Sequence, residues 1–131
     1  MKIYIITRGY PSAMHPTWGC FEKDQAEALA KLGHQVVYLS VDTRFRRKRG
    51  HLGIHHNKIN NVNVYNFVFI PLALLFFLPQ SLKNYVYSFL YSRVFKQALR
   101  KEGNPDVMYA HYLGYINIAL NFKKTTGIPI V

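Results

Sequence analysis

The sequence predicts an α/β fold of the Rossmann-like, doubly wound type: a mainly parallel sheet with helices on both faces and one β-hairpin excursion. The first observation behind this is an apolar run, Lys2–Thr7, of strand length. The second is a helical run over residues 21–32 that stops at Gly33-His34 and leads into another apolar run, 35–41. Together they make a βαβ opening, and βαβ units build parallel sheets. The third is the loop between them, thirteen residues from Arg8 to Cys20 with Pro11, Pro16 and Gly19 inside it. In open α/β sheets ligands bind beside a loop at the carboxyl end of a strand, so this loop marks a pocket as well as a fold.

The elements follow in order. The first helix reads with Phe21, Gln25, Ala28, Leu29 and Leu32 on its inner face, Glu22 and Asp24 in its acidic first turn, and Gly33 as its left-handed stop. Residues 35–41 carry no charge and are rich in β-branched side chains, as a buried parallel strand requires. Residues 42–58 begin as a polar, basic, glycine-punctuated excursion. Next, 54–59 pairs with 62–69 around Asn60-Asn61, a two-residue turn in which asparagine tolerates positive φ. Pro79, Gln80 and Ser81 start a second helix over 81–101, with Leu82, Tyr85, Val86, Phe89, Leu90 and Val94 repeating at three and four residues. Gly103-Asn104-Pro105 ends it, residues 106–111 form a further strand, and 115–126 a third helix. Residues 127–131 begin a last strand with nothing after it to protect its edge, which predicts that these residues belong to something longer.

Composition narrows the class. Half the residues are apolar and 15% aromatic, which excludes disorder, and 131 residues make one domain. A single cysteine, Cys20, excludes an internal disulfide and fits a reducing compartment; residues 3–6 are too short for a signal-peptide core. The reading is cytoplasmic. Net charge is +11, and Arg44, Arg46, Arg47, Lys48 and Arg49 form one dense block. Beside it, residues 67–78 are apolar except for Pro71, yet twelve residues are short of the roughly 17–25 that span a bilayer as a helix. The block and this segment predict contact with an anionic membrane surface, on the inner face of the membrane. Nucleic acid is disfavoured because the basic block sits on one loop without interleaved aromatic residues. Asp42 follows the second strand where a ribose-binding acid would stand, but no G-x-G-x-x-G precedes it, so a nicotinamide cofactor is disfavoured. His51, His55 and His56 have no cysteine or carboxylate neighbours, so they read as hairpin residues, not as a metal site.

Three segments, taken together, resemble a known family. They are Pro11 through Gly19-Cys20-Phe21-Glu22; Ala28-Leu29-Ala30-Lys31-Leu32-Gly33-His34-Gln35-Val36; and Pro105-Asp106-Val107-Met108-Tyr109-Ala110-His111-Tyr112. The arrangement resembles the N-terminal, acceptor-side domain of family-four retaining glycosyltransferases, which have two Rossmann-like domains (the GT-B architecture). Two positions depart from the usual pattern: Cys20 follows Gly19 where members often have a second glycine, and Tyr109 stands where many have histidine. The resemblance implies a nucleotide-diphosphate sugar as donor and a glycan or lipid-linked acceptor, with no cofactor and no obligatory metal. It also implies a second, donor-binding domain supplied in cis or in trans, without which the chain folds but does not transfer sugar. His111 is the implied catalytic-centre contact, Gly19 and Cys20 the donor contacts, and Pro11, Trp18, Tyr112 and Gly114 the acceptor pocket. Gly19 suits its role because, with no Cβ, it lets backbone N–H groups approach a diphosphate. The alternative reading is a non-catalytic membrane- or partner-binding module of a split glycosyltransferase.

Overall fold

A computed structural model describes residues 1–44, 51–71, 73 and 76–131. Among them the chain runs β1 (Lys2–Thr7), α1 (Cys20–Lys31), β2 (Gln35–Asp42), β3 (Gly53–Ile59), β4 (Val62–Val68), α2 (Gln80–Glu102), β5 (Val107–Ala110) and α3 (Leu113–Thr126). The sheet order is β3-β4-β2-β1-β5, with every pairing parallel except β3 with β4. This is the mixed, mostly parallel α/β sheet that the sequence predicts. β1 and β5 are parallel neighbours, paired from Ile3↔Val107 to Ile6↔Ala110.

β1 and β2 lie inside the sheet, so both of their faces are covered and their residues from Ile3 and Val36 onward are buried. The hairpin turns on Asn60 and Asn61 at φ 48° and 64°, a left-handed pair whose twist matches that of the strands it joins. β3 takes the sheet edge and carries His55, His56, Asn57 and Lys58, polar residues that discourage pairing with another chain. One face of the sheet packs Ile3, Ile5, Val36, Tyr38, Val62 and Val64 under Ala26 of α1. The other packs Tyr4, Ile6, Val37, Leu39, Tyr65 and Met108 under α2 and α3, where the Phe95 and Phe122 rings stack at 4.0 Å.

Buried tyrosine hydroxyls tie these layers together. Tyr4 donates to the Gly103 carbonyl at 2.7 Å, Tyr38 to the Gly9 carbonyl at 2.7 Å, Tyr65 to Glu102 Oε1 at 2.7 Å, and Tyr91 to the Thr7 carbonyl. Each satisfies a polar group that burial would otherwise leave costly.

Three expectations are corrected. In α1 the inner face is Glu22 and Ala26, with Leu29 half-buried, while Phe21 and Leu32 are 70% and 75% exposed. The small Ala26 lets the helix lie close to the sheet, and the buried Glu22 fixes its rotation through the ion pair described below. In α2 the inner face is Leu90, Tyr91, Val94, Phe95 and Ala98, while Leu82, Tyr85 and Phe89 face outward. A helix of 23 residues is about 35 Å long. The strands have four to eight residues and reach about 13–27 Å, so the first turns of α2 have little sheet beneath them. The last strand is reduced to one parallel bridge, Met108↔Ile130, with Met108 N–H donating to the Pro129 carbonyl and Val131 N–H to the Met108 carbonyl, both at 2.9 Å.

Candidate functional site

From β1 the chain crosses through α1 to β2 on one side, while β5 lies on the other, so the carboxyl ends of β1 and β5 flank the switch point of the sheet. Arg8 leaves β1 there, and His111 and Tyr112 leave β5. The His111 backbone N–H donates to the Ile6 carbonyl at 3.3 Å, which holds the two exits together.

Arg8 organises the rim. Its guanidinium carbon lies 4.9 Å from the Trp18 ring centroid and 4.7 Å from that of Tyr112, a cation between two π-faces. Its Nε is 3.0 Å from Oε1 of Glu22, whose side chain is fully buried in the first turn of α1. The N–H is not aimed at the oxygen, so the contact is a charge pair without an aligned hydrogen bond. The positive end of the α1 dipole separately stabilises the Glu22 carboxylate.

The long loop is wound tightly against this pair. Gly19, at φ 76°, lies so close to Gly9 that a Cβ there would sit 2.1 Å from the Gly9 carbonyl oxygen, the same oxygen that takes the Tyr38 hydroxyl. A Cβ on Gly9 would in turn lie 2.7 Å from Nε1 of Trp18. Trp18 Nε1 donates to the Arg8 carbonyl at 3.4 Å. The close approach of Gly9 therefore accounts for glycine at position 19. Arg44 also lies over the indole, at 5.4 Å from the ring centroid. Its Nε and a terminal nitrogen contact the two oxygens of buried Asp42 at 2.9 and 2.7 Å.

Behind Arg8 a cavity of about 620 Å³ opens between the first turns of α2 and α3, lined among others by Asn84, Tyr87, Ser88, Tyr112, Gly114 and Tyr115. A Cβ on Gly114 would meet nothing, which leaves that wall open. Burial pushes the Tyr115 hydroxyl up to about 12, so it is neutral and able to donate a hydrogen bond near neutral pH. The lining thus offers aromatic faces, hydroxyls and amides, with the charge of Arg8 balanced by Glu22.

Of the predicted site residues, Tyr112 and Gly114 line this cavity, and Trp18 reaches it through Arg8. The His111 ring packs at a tilt against Tyr112 with ring centroids 5.1 Å apart, and its Nδ1 is buried without a hydrogen-bond partner among the described residues. Pro11 sits half-buried just before the Ser12–His15 turn, away from the cavity lining, and Cys20 opens α1 as a half-buried thiol. Arg44 departs from the expected membrane contact because its side chain is only 13% exposed and turned onto Asp42. Arg46, Arg47, Lys48 and Arg49 lie outside the described residues, as do Leu72, Leu74 and Leu75 of the apolar segment. His55 contacts the His51 carbonyl at 2.6 Å and His56 stacks on Tyr65 at 4.3 Å. Among the described residues no group of three or more His, Cys, Asp or Glu side chains is placed to hold a metal ion, and no helix is long and apolar enough to cross a membrane.

Sequence reasoning missed Arg8 and Glu22. A signal existed: Glu22 stands four and seven residues before Ala26 and Leu29, on their stripe, and a carboxylate on a buried stripe requires a cation. Neither a protein-family model nor a curated protein sequence matches the chain.

Proposed function

We propose that these residues form the acceptor-side domain of a retaining glycosyltransferase, which moves a sugar from a nucleotide-diphosphate sugar to a glycan or lipid-linked acceptor. The observation that carries this reading is the cavity at the switch point, walled by Tyr112, Tyr115 and Tyr87 and edged by Asn84 and Ser88. Aromatic faces suit the apolar face of a sugar ring, while amides and hydroxyls suit its hydroxyl groups; the balanced Arg8 keeps the wall without a strong bias toward anions. In this reading the sugar ring rests against Tyr112, His111 stands beside the reacting centre, and the Gly19 and Cys20 end of α1 meets the donor. The second domain, in cis or in trans, brings the positive groups that stabilise the departing diphosphate. The site works on the cytoplasmic side, on a peripheral protein.

Trp18 is the chain's single tryptophan and stands at the rim, so its emission reports on occupancy. Titrating the chain with UDP- and GDP-sugars and with simple glycans should shift that emission with millimolar midpoints, about −4 kcal/mol, and His111→Ala should weaken the donor response. A radiolabel assay on the chain alone should show no transfer. Micromolar donor binding or turnover would mean that the donor site lies wholly within these residues. No response to any sugar would sink the reading.

A further inference from the structure

We propose that the outward face of α2, together with the exposed Phe76 and Phe77 that precede the helix, is a docking surface for an anionic lipid bilayer. Phe76 is 84% exposed and Phe77 69%, and the first turns of α2 add Leu82, Tyr85 and Phe89, all exposed. Five large apolar side chains exposed within fourteen residues mark an interaction surface.

The rest of the same face says what the partner is. Leu82, Tyr85 and Phe89 continue at three- and four-residue steps into Arg93, Lys96 and Arg100, which are exposed too. The face is therefore apolar toward its N-terminal end and cationic toward its C-terminal end. Phe89 and Arg93 are about 6 Å apart along the axis, and Phe89 and Arg100 about 16 Å. An interfacial helix buries its apolar residues about 5–10 Å into the headgroup and acyl boundary. A tilted α2 that does so holds Arg93, Lys96 and Arg100 in the layer of lipid phosphates. The one acid of α2, Glu102, is its last residue and is engaged by Tyr65 and Asn63, so it does not oppose this attraction. A second copy of the chain is a poorer occupant, because each copy carries +11 and the facing cations would repel. This surface is distinct from the Arg44–Arg49 block, and it stands without the sugar-transfer reading, since vesicles are bound or not whatever the chain does with sugars.

The test is co-sedimentation of the full chain with vesicles of phosphatidylcholine alone and of phosphatidylcholine mixed with phosphatidylglycerol. Binding should require the anionic lipid and weaken with salt. Lys96→Gln and Arg100→Gln should each lower it about fivefold, and the triple variant Phe76→Ser/Phe77→Ser/Phe89→Ser at least about tenfold. These side chains are exposed, so thermal melts of all variants should match the parent. Equal binding to both vesicle types, or to neither, overturns the proposal. So does undiminished binding by the triple variant, which would assign the attraction to other cations such as Arg46, Arg47, Lys48 and Arg49. A dimer in solution that the triple variant abolishes would make a second copy the occupant, and that also overturns it.

Discussion

Arg8→Met should destabilise the chain by about 3–5 kcal/mol in equilibrium denaturation, because it leaves the Glu22 carboxylate buried and without its counter-charge. The side chains are 27% and 0% exposed, so solvent screens this pair weakly. The same change removes the cation between Trp18 and Tyr112, and Trp18 emission in the folded protein should shift with it. A large part of the loss should be recovered in the double variant Arg8→Met/Glu22→Met, since replacing both members of a buried pair by apolar groups is often neutral or stabilising. If Arg8→Met alone unfolds at the parent's midpoint, Glu22 has another partner and the rim is not organised by this pair.

Gly19→Ala should be the other severe substitution. A left-handed φ of 76° costs a residue with a Cβ about 1–2 kcal/mol by itself. Here the added atom would also sit 2.1 Å from the Gly9 carbonyl oxygen, which is backbone and already tied to the Tyr38 hydroxyl. We expect a total loss of about 4 kcal/mol or more, at the upper end for single changes. Gly114→Ala is the matched control, because its methyl meets open space and its position is helical, so it should be neutral or stabilise slightly. Comparable losses in both variants would mean that the approach of the Gly9 and Gly19 backbones is not what position 19 requires.

Most of the architecture was legible in the residues. Charge-free, β-branched runs announced the central strands, Asn60-Asn61 announced the hairpin, and Gly33 and Gly103 marked where helices stop. The faces of the helices were not legible, and the reason is physical. Periodicity finds an apolar stripe without finding what lies beneath it, and the stripe from Leu82 to Phe89 stands where the sheet has run out. The rim was half legible. Strand ends pointed to His111, Tyr112 and Gly114, but Arg8 and Glu22 form a contact between a loop and a helix that no local pattern encodes. Arg44 looked like one more member of a basic block because sequence proximity to four cations hides the buried acid, two residues earlier, that claims it.

The buried tyrosines give the chain an alkaline limit. Burial holds the Tyr4, Tyr38, Tyr65 and Tyr91 hydroxyls well above the ordinary value of 10.0, and Glu102 pushes Tyr4 and Tyr65 the same way. Their protons are therefore bound more tightly in the folded chain than in the unfolded one. The associated stability is fully present below pH 10 and is lost as pH rises from there toward the folded values. Phenolate absorbance should thus rise in two stages: a gradual one from solvent-exposed rings, then a cooperative one that coincides with loss of helical circular dichroism. That second midpoint should fall in Arg8→Met, so deprotonation of Tyr4 and Tyr65, whose hydroxyls bond the end of α2 and not the rim, would report the state of a single ion pair within it. A smooth, single-stage titration with the fold intact would mean that these hydroxyls are open to solvent.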